Sequence, residues 1–190
     1  MASTKENFGN SDIIAAVERL IAQKSVNSFS LKDVAKEAGI SQGTLYYHYK
    51  TKDDLVLDLM KKHMGELKND YDSWLKRHQD GSIDEKRFLS VIFYKGVKLF
   101  NKAKIHIYLI NECLADSPSL KKAYLGLWNE WKDTLEEGIR TYFPKIEKPK
   151  SLAYLLMLII DGLTVQEALE ASDKPENDLI SLVSKTMKEN

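Results

Sequence analysis

Apolar residues recur at three- and four-residue intervals along almost the whole chain, and strand-like alternation is scarce. The stripe Ile13, Ile14, Val17, Leu20 and Ile21 predicts a first helix opened by Ser11. The pattern loosens from Lys24 to Phe29. Ser30 then stands as N-cap to a short helix over Leu31 to Ala38, and Gly39 follows where a left-handed residue closes a helix. Ser41 opens another short helix that runs to about Tyr47. Thr51 caps a long helix with Asp53 and Asp54 in its first turn and Leu55, Leu59, Leu67, Tyr71, Trp74 and Leu75 on its apolar face. A polar break spans Gln79 to Ser82. Helices follow over Glu85 to Phe100, Lys104 to Leu114 and Pro118 to Phe143, the last with Ser117 as cap and proline at its first position. Pro144 to Lys150 is a loop, and Ser151 to Ala171 and Pro175 to Glu189 complete an all-α chain of about nine helices.

The stretch from Ser30 to Leu55 predicts more than helices. Two short helices joined by Gly39, Ile40 and Ser41 make a helix-turn-helix if they cross closely. Ala35 is small at the crossing, Gly39 tolerates positive φ at the turn, and Val34, Ala38, Ile40 and Leu45 fall on the inner faces. Cap, small residue, turn glycine and apolar anchors agree in register. The outer face of the second helix holds Gln42, Gly43, Thr44, Tyr46, Tyr47 and His48 and contains no acid. Such a face suits a phosphate-lined groove. Gln42 can offer its amide to a base edge, Gly43 lets the backbone approach, and Tyr46 and Tyr47 add rings with hydroxyls that reach phosphate. Lys52, at the start of the long helix, would add an ammonium beside free backbone N–H groups. Tyr46, Tyr47, His48 and Tyr49 cannot all be buried on so short a helix, and Tyr49 is the one expected in the core.

Composition narrows the alternatives. The 190 residues carry 28 Lys and Arg against 28 Asp and Glu, which excludes a uniformly basic nucleic-acid coat. The balance conceals unlike parts. Ser30 to Lys52 holds four lysines against Asp33 and Glu37, a net of +2, whereas Asp161 to Asp178 holds six acids against Lys174, a net of −5. Cys113 is the one cysteine, so no disulfide framework or Cys-based zinc site can form within the chain, and a reducing cytoplasm is expected. The longest apolar run, Leu152 to Ile160, is far short of the roughly 20 residues that span a bilayer, so no membrane association is expected. The four histidines show no metal-binding spacing, and no phosphate loop, dinucleotide fingerprint or nucleophile elbow is present. Neither a metal, a cofactor nor enzymatic activity is expected.

The segments IIAAVERLIAQ and VAKEAGISQGTLYYHYKTKDDL resemble the TetR family of bacterial transcriptional regulators over roughly the first third of the chain. Tyr49 is a small departure, since phenylalanine is commoner there. The resemblance implies a three-helix DNA-binding domain over residues 1–50 and a larger helical effector-binding and dimerisation domain over residues 51–190. By position, it implies DNA contacts from Ser30, Ser41, Gln42, Gly43, Thr44, Tyr46, Tyr47, His48 and Lys52. It also implies a homodimer on a palindromic, inverted-repeat operator of double-stranded DNA, acting as a repressor that a small molecule releases.

Beyond the resemblance, ten of the eighteen aromatic residues fall between Phe88 and Phe143. Apolar walls with a few polar groups describe a ligand pocket. Candidates are Phe93, Phe100, Tyr108, Tyr124, Trp128 and Trp131, with His106, Asn111 and Glu112 as polar groups, for an apolar or aromatic effector. The last two helices read as a dimer interface through Leu152, Leu155, Leu156, Ile159, Gly162, Leu163, Leu179, Leu182 and Val183. Two other readings stay open: a helix-turn-helix protein with no small-molecule switch, separated by whether the aromatic region encloses a cavity, and an all-α enzyme with an accessory helix-turn-helix, which would need clustered titratable groups.

Overall fold

The computed structural model of the chain describes residues 9–23, 29–78, 83–98, 102–115, 117–173 and 175–189. Among these residues every regular element is a helix: α1 (Asn10–Gln23), α2 (Leu31–Ala38), α3 (Gln42–His48), α4 (Lys52–Lys76), α5 (Glu85–Lys98), α6 (Ala103–Leu114), α7 (Pro118–Tyr142), α8 (Pro149–Ala168) and α9 (Glu176–Glu189). The loosened stretch at 24–28, the polar break at 79–82 and Phe100 lie outside the described residues.

The caps show why the chain turns where it does. The Ser30 hydroxyl accepts from the Asp33 N–H while the Asp33 carboxylate accepts from the Ser30 N–H, a reciprocal capping box that starts α2. Gly39 closes α2 at φ 70°, and Ile40 N–H returns to the Ala35 carbonyl. Ser41 caps α3 through the Thr44 N–H, and Thr51 with Asp54 repeats the capping box at α4. Ser117 caps α7, which has its proline at the start, as expected. Several boundaries differ from expectation by a few residues, among them the start of α8 at Pro149, inside the expected loop of residues 144–150, and two of the shifts have a clear local cause. The first helix begins at Asn10 rather than after Ser11, because the Asp12 carboxylate reaches back to the Gly9 N–H and fixes the start there. Helix α8 stops at Ala168 rather than Ala171, because Glu170 turns left-handed at φ 56° and Ala171 N–H bonds back to Gln166.

Two cores form. In the first, α1, α2 and α3 pack on the first half of α4, and Ile105, Tyr108, Leu109 and Cys113 of α6 join them. Thus the amino-terminal core reaches well past residue 50. The second core joins the far half of α4 to α5, α7, α8 and α9 around Phe88, Phe93, Leu135, Ile139 and Leu156. Here α4 and α7 approach closely at Gly138, where a Cβ would collide with the Tyr71 hydroxyl. The Tyr71 ring is held edge-on to Trp131 with centroids 5.2 Å apart. Helix α4 therefore runs from the helix-turn-helix into the larger core as one continuous rod.

Helix α8 is long and apolar enough, by length and composition, to cross a membrane. One of its faces is committed to the second core through Leu156, Met157, Ile160 and Leu163.

Candidate nucleic-acid interface and cavity

Leu45 anchors α3 to the first core and is fully buried, which turns the opposite face outward. Gln42, Gly43, Thr44, Tyr46 and Tyr47 are all exposed, Tyr47 at 80%. Apart from its own helix backbone and chain neighbours, only the Ser41 hydroxyl among the described residues lies within 4 Å of where a Gly43 Cβ would stand. Ser41 and Thr44 share a hydroxyl contact of 2.9 Å at the start of the helix. His48 Nδ1 is 2.7 Å from Asn10 Oδ1, which pins the end of α3 to the start of α1. Tyr49 is buried as expected, its hydroxyl donating to Asp58 at 2.9 Å. Burial together with that carboxylate pushes the phenol well above its ordinary range. Seven of the expected contact residues thus lie on α3 or at its cap, and Ser30 caps the preceding helix α2.

Lys52 departs from expectation. Its ammonium points at α6 instead of outward, donating to Glu112 Oε1 at 2.7 Å. It lies 5.4 Å from the Phe29 ring centroid and 5.7 Å from that of Tyr108. The cause is electrostatic: Glu112 is nearly buried, and an unpaired carboxylate there would be costly. A second tie lies beside it, where the Ser117 hydroxyl donates to Asp53 at 2.6 Å.

Between α4, α6, α7 and α8 lies a small cavity lined by His63, Met64, Leu67, Lys102, Ala103, His106, Trp128, Trp131, Met157, Ile160, Asp161 and Thr164. It encloses about 30 Å³ of free space. That is room for one or two waters, against roughly 300–1,000 Å³ for an ordinary ligand pocket. Its polar groups form a chain. Trp128 Nε1 donates to Asp161 at 3.2 Å, His106 Nε2 lies 3.6 Å from the other Asp161 oxygen, and the Tyr124 hydroxyl is 3.2 Å from His106 Nε2. Burial holds the His63 imidazole down at about 3, with His106 and Lys102 adding to the depression, so it is neutral at pH 7. Its Nδ1 is buried without a hydrogen-bond partner among the described residues. The Lys102 ammonium is paired with Glu66, and partial burial lowers its pKa.

The aromatic candidates divide. His106, Trp128 and Trp131 line this cavity, and Tyr124 reaches it through His106. Phe93 instead belongs to the second core and borders a groove between α5 and α9. Tyr108 and Glu112 face the first core and Lys52, and Asn111 is exposed on the outer side of α6. Aromatic count could not separate these cases, because the relevant faces of α6 and α7 differ by single helical steps. The clearest signal missed is His63, which replaces an apolar residue four after Leu59 and four before Leu67 on the buried stripe of α4.

The expected interface residues divide as well. Leu156, Leu163 and Val183 are buried within the second core of one chain, and Leu152, Ile159 and Leu179 pack partly against it. Leu155, Gly162 and Leu182 are exposed. Tyr154, Leu158 and Val165 are exposed too, and with Leu169 just past the helix end they extend an apolar stripe along the outer side of α8.

Residues 13–59, from α1 to the middle of α4, match the sequence pattern of "Bacterial regulatory proteins, tetR family". Over these residues the chain is similar to the TetR family. The TetR pattern covers the same helix-turn-helix described above and ends within α4. Among curated relatives, the HTH-type transcriptional regulator AcrR of Shigella flexneri is 39% identical over 62 residues, 31% of this chain and 29% of its own length. The fatty acid metabolism regulator protein of Bacillus subtilis is 35% identical over 55 residues, 29% of this chain and 28% of its own length. These matches therefore span under a third of either relative. Solved structures extend the likeness to the whole fold. A transcriptional regulator of Saccharomonospora viridis, in complex with choline, aligns over 95% of both chains at 21% identity and a TM-score of 0.73. The regulator FadR of Bacillus subtilis, in complex with stearoyl-CoA, aligns over 95% of this chain and 96% of its own at 22% identity and a TM-score of 0.64.

Proposed function

We propose that the chain is a DNA-binding transcriptional regulator that works in the cytoplasm as a homodimeric repressor on an inverted-repeat operator. The observation that carries this reading is the outer face of α3: exposed, free of acid, and set on a helix-turn-helix whose caps and left-handed turn agree. Gln42 reads a base edge, Gly43 admits the backbone to the groove, and Ser41, Thr44, Tyr46 and Tyr47 contact phosphate or sugar. The two α3 helices of a dimer enter successive major grooves about 34 Å apart. The dimer forms through the exposed stripe of α8, with Leu182 of α9 at its edge. Apolar side chains in such a row favour a partner over water.

The effector half of the proposal places a small apolar or aromatic molecule among α4, α6, α7 and α8. Two things support it: the cavity lies against the same α4 that leaves the helix-turn-helix, and the choline and stearoyl-CoA complexes have this fold. A ligand there must push the four helices apart, because about 30 Å³ cannot hold it. That displacement is what would reach α3. DNA affinity then changes only by as much as the ligand prefers the widened form. The small volume also favours a second reading, a DNA-binding protein with no small-molecule switch. A thermal-shift screen of small apolar and aromatic compounds, followed by anisotropy titration of labelled DNA, separates the two. Compounds that stabilise the protein and release DNA support the first. Stabilising compounds that leave DNA affinity unchanged remove it.

A further inference from the structure

The Lys52–Glu112 pair has a role that neither the fold nor the likeness to the TetR family assigns. This inference rests on the DNA-binding reading above. Lys52 is the first residue of α4, at the end of the molecule where α3 exposes its outer face. A helix start favours a phosphate through its dipole, and an ammonium there would strengthen that contact. Yet the ammonium is held 2.7 Å from Glu112, over the rings of Phe29 and Tyr108. The side chain of Lys52 keeps 28% exposure and that of Glu112 only 11%. The lysine can therefore swing toward solvent, whereas the carboxylate cannot follow it. If the lysine leaves, a nearly buried carboxylate loses its counter-charge. Asp53, Asp54 and Thr51 surround the helix start, but Asp54 is occupied by its capping box and Asp53 by Ser117. Glu112 is thus the acid that holds Lys52.

We propose that Glu112 competes with DNA for Lys52, so that the lysine reaches a phosphate only at the expense of this pair. Glu112 acts as a residue that sets DNA affinity without touching DNA. It sits on α6, six residues beyond His106 of the cavity, or about 9 Å along the helix axis. A shift of α6 as a rigid body would alter both ends together, tightening or relaxing the hold on Lys52.

The test is a double-mutant cycle on the full chain, using a fluorescent random-sequence duplex of about 30 base pairs, which makes the operator unnecessary. Glu112→Gln keeps shape and removes the charge, and Glu112→Leu serves as a second variant if the amide fails to fold. Competition predicts roughly tenfold tighter binding at about 50 mM salt, the worth of one charge-assisted contact. In a Lys52→Met background the gain disappears. A gain that persists without Lys52 reflects only the loss of one negative charge and overturns the proposal, as does no gain at all. Failure of the unmodified chain to bind any duplex at low salt overturns the DNA-binding reading itself, a different result from binding that is indifferent to Glu112.

Discussion

His63 gives the structure a pH dependence that can be worked out beforehand. The ring is 4% exposed, its Nδ1 has no partner among the described residues, and its pKa is held at about 3 against 6.5 in an unfolded chain. Below pH 6.5 the unfolded chain takes up a proton at this site, whereas the folded chain takes none until about pH 3. The unfolded state thus binds more protons throughout that window, and stability falls as pH drops through it. From His63 alone the loss at pH 5 comes to about 2 kcal/mol relative to pH 8. Carboxylates titrate in the same range, so the informative quantity is a difference between proteins. His63→Met has similar bulk and no titration. Urea unfolding of both proteins at about pH 7.5 and about pH 5 should show the native chain losing roughly 2 kcal/mol more than the variant. At the higher pH the variant should match or exceed the native chain, since it no longer buries an unpaired nitrogen. Equal losses would refute the reasoning and mean that His63 is solvated or paired in solution.

Three more expectations follow from contacts at single positions. Gly138→Ala should destabilise the fold by about 1–3 kcal/mol in urea unfolding, because the added methyl meets a Tyr71 ring that Trp131 prevents from moving aside. Tyr47→Ala should leave stability within about 0.5 kcal/mol while weakening DNA binding by anisotropy, since the ring is exposed and touches little of the core. Leu158→Asp combined with Leu182→Asp should shift sedimentation from dimer to monomer with the helical signal retained, as both side chains are exposed in the single chain.

The amino-terminal third was legible in the sequence because its signals are local. A cap is written within three residues, as in Ser30 with Asp33 and Thr51 with Asp54, and Gly39 announces its own left-handed turn. The same holds for which tyrosine is buried: Tyr49 against Asp58, with Tyr46 and Tyr47 outside. What escaped depends on partners far away in sequence. Lys52 is turned inward by a carboxylate sixty residues on, which no local pattern records. Helix α8 is apolar on two sides, so its periodicity could not say that Leu156 and Leu163 enter the core while Leu155 and Leu158 face out. The aromatic residues of α5 to α7 serve two cores as well as one small cavity, and ring count does not distinguish these uses. Glu170 escaped for another reason. Glycine or asparagine usually signals a left-handed cap, and here a glutamate occupies it.

The central claim is that the outer face of α3 reads DNA as one half of a symmetric pair. Selection of bound sequences from a pool of random duplexes, run with the native chain and with Gln42→Ala, tests it most directly. The expected result is an inverted repeat with half-site centres about one helical turn apart for the native chain, and an altered preference at one base position per half-site for the variant. Recovery of no enriched sequence, or of the same sequence with Gln42 removed, would contradict it.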